Sequence, residues 1–243
     1  MTLLEAVLLL VGGAFAGVVN AMAGGGSMLT VPLLVLAGVP GVAANGSNRV
    51  GILTSTATSL LSFRNDGIRV TQNLAPIIGP ALAGSLVGAY GISELTDETF
   101  ERVFGLLMIP LIILTIWKPR VRTHPEPWPL AVTMGVFFLI GIYAGAIQAG
   151  VGLMLLAALS HSGLDLVTAN LVKVIFNLCA TLIALPVFII QGNVRWGPAI
   201  ILAIGLSVGG WIGARFAVRG GEKWIRIVMV VAALALAARL IFG

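Results

Sequence analysis

Apolar positions along this chain come in long runs, separated by short polar breaks. Predominantly apolar runs fall at about 3–22, 28–38, 43–63, 72–92, 99–117, 129–149, 152–160, 165–190, 197–217 and 223–242. At a rise of about 1.5 Å per helical residue, eight of them are long enough to cover a hydrocarbon core of about 30 Å. The runs at 28–38 and 152–160 are too short, and each follows a polar, glycine-containing break. The first break reads Asn20-Ala21-Met22-Ala23-Gly24-Gly25-Gly26-Ser27, the second Gln148-Ala149-Gly150-Val151-Gly152. A bilayer interior penalises uncovered backbone, so such breaks belong where they line a cavity or lie inside protein. Paired Gly-interrupted segments in two halves of a chain are a sequence pointer to a transport site.

The halves resemble each other. Ala16-Gly17-Val18-Val19-Asn20-Ala21 matches Ala144-Gly145-Ala146-Ile147-Gln148-Ala149. Gly38 and Ala44-Asn45 match Gly163 and Ala169-Asn170 at a constant offset. Pro76, Ser85, Gly88 and Gly91 match Pro198, Ser207, Gly210 and Gly213 at another. The polar connection from Lys118 to Trp128 divides a first repeat, 1–117, from a second, 129–243. Lys118, Arg120 and Arg122 place this linker in the cytoplasm, and Arg219, Lys223 and Arg226 place the loop before the last run there too. Both hold together if 129–160 enters and returns, or crosses and recrosses, as a hairpin. By symmetry 3–38 does likewise. Each repeat is then a broken-helix hairpin plus three transmembrane helices, and the two repeats are inverted. The alternative is eight plain spans with both ends inside.

Composition narrows the class. Hydrophobic residues make up 58% of the 243-residue chain and charged ones 9%, against about 25% charged in soluble domains. The expected class is an all-α polytopic protein of a cell membrane, the bilayer its main partner. A barrel would alternate at period two. The net charge of +5 does not argue for nucleic acid, because the cations sit mostly in inter-segment loops. Ala21-Met22-Ala23 mimics a cleavage site, but Glu5 stands where a signal sequence needs cations, so the first run is read as a retained helix. Cys179 is a packing residue, and Trp117, Trp128, Trp196 and Trp224 are interfacial anchors. Gly13-x3-Gly17, Gly141-x3-Gly145, Gly84-x3-Gly88 and Gly209-x3-Gly213 are small-residue faces for close helix packing.

Two cations lie within apolar runs, Arg49 and Lys173, at nearly equivalent repeat positions. Insertion of such a residue costs at least about 2.5–3.5 kcal/mol, so it faces a cavity or a partner. Asp66 and Asp165 sit only at segment ends. The cations therefore invite a transient anion, with backbone carbonyls or snorkelling as the other resolution. Helices starting near Met28 and Leu153 would direct N–H groups and positive dipole ends at the breaks. Gly24, Gly25 and Gly26 let those donors approach a ligand, and Ser27 is an N-cap or a hydroxyl donor. Gly150 and Gly152 are the poorer counterparts. Asn20 and Gln148 flank the breaks, and Asn48 and Asn177 lie beside the two cations. The same glycines could serve only as tight turns. Thr54, Ser55, Thr56, Thr58 and Ser59 are expected mostly to bond their own helix. His161 is read as an interfacial residue and His124 as idle. No metal cluster, phosphate loop or nucleophile–base pair is visible, so neither a cofactor nor an enzymatic role is expected.

The stretch from Gly17 to Pro32, followed by Gly38-Val39-Pro40 and Ala44-Asn45-Gly46-Ser47-Asn48-Arg49, resembles the sulfite exporter TauE/SafE family of membrane permeases. The element Gly145 to Met154 and the run Ala83-Gly84-Ser85 through Gly91 fit as well. The resemblance implies a transporter, often tied to sulfite, sulfoacetate or other small sulfur-containing anions. The reading that results is an exporter of one small anion by alternating access, with an anion channel as the alternative and a homodimer left open.

Overall fold

The computed structural model describes residues 1–116, 128–159 and 166–218. The linker cations, His124, His161, Gly163, Asp165, Trp117, Trp224 and the final apolar run therefore lie outside the described residues. Every described element is helical: α1 Leu3–Ala23, α2 Ser27–Leu36, α3 Gly41–Asn65, α4 Ala75–Ser93, α5 Asp97–Ile116, α6 Leu130–Ala146, α7 Val151–Leu159, α8 Leu166–Ile190 and α9 Trp196–Val218.

The boundaries have local causes. Thr2 and Glu5 form a capping box at the start of α1: the Glu5 N–H donates to Thr2 Oγ1 at 3.2 Å, the Thr2 N–H to Glu5 Oε2 at 2.7 Å. Gly24 ends α1 with φ 76°, a left-handed conformation that glycine adopts without steric cost. The start of α3 is held from a distance, where Asp97 at the head of α5 accepts from the Val42 N–H at 2.8 Å. Asn73 Oδ1 accepts from the Ala75 N–H at 3.0 Å, and Pro76 fits the first turn of α4.

Four described segments are long and apolar enough to cross a membrane: Leu3–Met22, Ala75–Ser93, Val167–Ile190 and Trp196–Phe216. The sequence expectation was eight: the final run lies outside the described residues, α5 opens with the charged residues Asp97, Glu98, Glu101 and Arg102, and two further helices fall short. Helix α6 has only 17 residues. Helix α3 has the length, at 25 residues, but carries Asn45, Ser47, Asn48, Arg49, Ser55, Thr56, Ser59 and Ser62, all buried. Large apolar side chains such as Leu3, Val11, Leu61, Leu139, Ile190 and Ile204 are exposed instead. An apolar exterior around a polar-lined interior is the distribution a lipid solvent selects.

Packing exchanges the two halves. The most extensive helix pairs are α1 with α9 and α4 with α6, followed by α3 with α9, α4 with α8 and α3 with α8. The first helix of each half thus packs on the fourth of the other. Small residues allow it. A Cβ at Gly17 would fall on the Leu206 carbonyl, and one at Gly209 on that of Ala14. Gly88 meets the Ile142 carbonyl, and Gly145 that of Ser85, in the same way. All four small-residue faces are helix contacts of near-backbone approach. The hydroxyls of α3 do more than bond their own helix. Thr58 Oγ1 donates to the Ser207 carbonyl at 3.1 Å and Ser59 Oγ to that of Gly210 at 3.0 Å, stitching α3 to α9.

Candidate functional site

The two breaks meet. Gly24 and Gly152 are in backbone contact, with each Cα where a Cβ on the other would have to stand, and the Gly152 N–H donates to the Gly24 carbonyl at 3.3 Å. Around this contact lie the ends of four helices. Helices α1 and α6 arrive with their C-termini, while α2 and α7 leave with their N-termini.

The C-terminal ends present carbonyls that the helix ladder leaves open, although the Asn20 carbonyl also accepts from the capping Gly24 N–H at 2.9 Å. Buried cations from the opposite half cover them. Arg49 of α3 reaches the end of α6: Nη1 donates to the Ala144 carbonyl at 3.1 Å, and Nη2 to those of Gly145 and, at 3.2 Å, Ala146. Asn45, one turn earlier, adds Nδ2 to the Ala146 carbonyl at 2.7 Å. Phe188 of α8 lies under the guanidinium, 4.5 Å from Cζ to ring centroid, a cation–π geometry. Lys173 of α8 reaches the end of α1, where Nζ donates to the carbonyls of Ala21 at 3.0 Å and Asn20 at 3.4 Å. Each half thus sends one cation to the broken helix of the other. Both side chains are 0% exposed, which excludes snorkelling. The carbonyl ends carry about half a negative charge each, so this placement suits the helix dipoles. Among the described residues no Asp or Glu is buried.

The N-terminal ends differ from each other. Helix α2 starts at Ser27 with Gly26 as its N-cap, and no side chain caps it. Ser27 is therefore not the N-cap. Its Oγ accepts from Asn48 Nδ2 at 3.0 Å, which leaves the Ser27 hydroxyl hydrogen available to donate. Asn48 Oδ1 in turn accepts from Thr30 Oγ1 at 2.5 Å, so the Asn48 amide is fixed between α2 and α3. Among the described residues no carbonyl accepts from the N–H groups of Gly25, Gly26 or Ser27. In the second break the Gly152 N–H is spent on Gly24 and the Leu153 N–H on Gly150. Gly150 turns the chain with φ 71°, and Gln148 also has a positive φ, of 62°. A non-glycine residue there is under strain that its surroundings must offset. Gln148 Nε2 donates to Thr181 Oγ1 of α8 at 2.5 Å, and Tyr143 Oη donates to the Ala149 carbonyl at 2.6 Å.

All twelve residues singled out from the sequence are gathered around these breaks or on the α3 and α8 stripes beside them: Asn20, Gly24, Gly25, Gly26, Ser27, Asn48, Arg49, Gln148, Gly150, Gly152, Lys173 and Asn177. Sequence reasoning missed Thr30, Asn45, Thr181 and Phe188 as parts of the network. Thr30 lies one turn after Ser27, and Thr181 one turn after Asn177, a spacing that could have flagged them. Phe188 gave no signal.

The arrangement has the makings of an anion site: open N–H donors and one hydroxyl at a helix N-terminus, in a field set by two buried cations. The family model described as sulfite exporter TauE/SafE matches residues 9–240 of this chain. A probable membrane transporter protein of Sinorhizobium sp is 27% identical over 230 residues, covering 93% of this chain and 88% of its own. One from Haemophilus influenzae is 23% identical over 234 residues, covering 95% and 92%. The probable membrane transporter protein YunE of Bacillus subtilis is 25% identical over 268 residues, covering 97% of each. No solved structure matches.

Proposed function

The chain belongs to the sulfite exporter TauE/SafE family of multi-pass membrane transporters, and on that premise we propose that it exports a small, sulfur-containing anion across the cell membrane by alternating access. The observation that carries the reading is the reciprocal tie at the two breaks. Arg49 from the first half holds the end of α6, and Lys173 from the second holds the end of α1. Each cation supplies field to the meeting point and locks the backbone whose break shapes it. The anion's direct partners are the N–H groups of Gly25, Gly26 and Ser27 and the Ser27 hydroxyl, with Asn48 orienting that hydroxyl. Asn20, Gln148, Gly150, Gly152 and Asn177 complete the wall from α1, the second break and α8.

The exchanged packing supports two inverted repeats. The repeats rock about the Gly24–Gly152 contact and open the site to one side at a time. A channel would need a continuous path through that contact, where two backbones touch. No bond-making step is assigned to any residue.

The test is trans-stimulated exchange of labelled sulfite in proteoliposomes. A carrier gives saturable flux that unlabelled internal sulfite accelerates, and Ser27→Ala lowers it at least about tenfold without loss of folded protein. Unsaturable conductance with single-channel currents would overturn the alternating-access reading.

A further inference from the structure

Hydrogen-bond capacity around the two breaks is lopsided. The first break offers unclaimed donors, whereas the second offers unclaimed acceptors. Gln148 Oε1 and Asn177 Oδ1 are buried with no hydrogen-bond partner, on residues only 2% exposed each. They belong to one neighbourhood. Gln148 is bonded through its Nε2 to Thr181, and Asn177 lies one helical turn before Thr181 on the same face of α8. With its Nε2 bonded to Thr181, Gln148 has Oε1 left over. Buried carbonyl oxygens without partners are costly and uncommon, and a ligand that brings a donor relieves them.

The proposed ligand is an anion seated at the first break, and a neutral O–H on that anion supplies such a donor without a second ligand.

We propose that the transported anion carries its own hydroxyl hydrogen: its negative head takes the donors of the first break, and its single O–H is shared between Gln148 Oε1 and Asn177 Oδ1 at the second. The inference rests on the anion-transport reading and narrows its substrate class. Singly charged oxyanions that keep a proton and short hydroxyalkyl sulfonates qualify. Fully deprotonated or methyl-capped analogues do not. A site built around an O–H rejects the isostere lacking it, because its own buried polar atoms are then left unpaired.

The experiment is isothermal titration of the full chain in lipid nanodiscs with two isosteric pairs. One pair is 2-hydroxyethanesulfonate against 1-propanesulfonate. The other is hydrogen sulfite against methanesulfinate at mildly acidic pH. The hydroxyl-bearing member should bind at least about tenfold tighter in one pair or both, the responding pair showing whether the O–H sits on a carbon tail or on the sulfur oxyanion. The double variant Gln148→Leu/Asn177→Leu should bring that ratio to within about threefold of unity, and Asn177→Leu alone should lower it. Gln148→Leu provides a second, independent removal of an acceptor. Equal affinities within both pairs, or a preference that survives the double variant Gln148→Leu/Asn177→Leu, would overturn the inference while leaving anion transport standing. If a folded sample binds neither sulfonates nor sulfite, the underlying reading fails with it.

Discussion

Replacing Arg49 with glutamine should destabilise the fold before it affects anything else. Three hydrogen bonds tie its guanidinium to the carbonyls of Ala144, Gly145 and Ala146. The Ala146 carbonyl keeps Asn45 as a donor, so two carbonyls lose their partner. A buried polar group left unsatisfied costs about 1–3 kcal/mol, giving about 2–6 kcal/mol for the pair. Loss of the contact with Phe188 adds about 0.5–2 kcal/mol. Relief from burying a charge works in the other direction, because carbonyls offset the guanidinium's desolvation less fully than a carboxylate would. The net expectation is about 2–4 kcal/mol. Arg49→Lys keeps the charge but loses the fork, and should cost about 1–2 kcal/mol. Unfolding in mixed micelles, followed by tryptophan fluorescence, reads both. A double cycle with Asn45→Ala should show coupling above about 0.5 kcal/mol, since both residues serve the Ala146 carbonyl. If Arg49→Gln unfolds within about 0.5 kcal/mol of wild type, the bonds to α6 are not what holds the break, and the reasoning fails.

Other expectations follow from single contacts. Gly88→Ala drives a methyl into the Ile142 carbonyl and should cost more than about 2 kcal/mol, whereas Gly79→Ala meets open space and should be neutral or slightly stabilising; parallel thermal melts separate them. Gly24→Ala meets both a positive φ and the Gly152 backbone, so it should abolish transport and lower the yield of folded protein, measured by size-exclusion profile and flux together. Ser27→Ala removes one acceptor from Asn48 and one donor from the proposed ligand shell. It should cost about 1–3 kcal/mol of stability, less than Gly24→Ala, while weakening anion binding about tenfold, read by titration on the same folded sample.

The chain's architecture was largely legible from hydropathy. Its runs at 28–38 and 152–160 are the short helices Ser27–Leu36 and Val151–Leu159, because no helix continues through a Gly-rich break that sets a left-handed residue. The polar helix α3 was legible despite its low hydropathy, since its flanks are apolar and its hydroxyls recur without a turn signal. That Arg49 and Lys173 share one interior followed from the cost of burying a cation. Their targets did not. Carbonyl oxygens are common to every residue, so sequence cannot say that Arg49 would meet the end of α6 and Lys173 the end of α1. The role of Ser27 was half legible: a serine before an apolar run reads as an N-cap, but Asn48 takes its oxygen. Orphaned acceptors such as Asn177 Oδ1 are invisible in one dimension, because they are defined by neighbours that are missing.

The central claim is that the touching breaks hold an anion in the field of two buried cations. Its most direct test is equilibrium binding of sulfite to the purified chain in nanodiscs, with Lys173→Met and Arg49→Lys as partners. The account predicts saturable, stoichiometric binding to wild type and a loss of at least about tenfold in Lys173→Met, with Arg49→Lys retaining measurable affinity. Binding of unchanged strength in a folded Lys173→Met sample would contradict it.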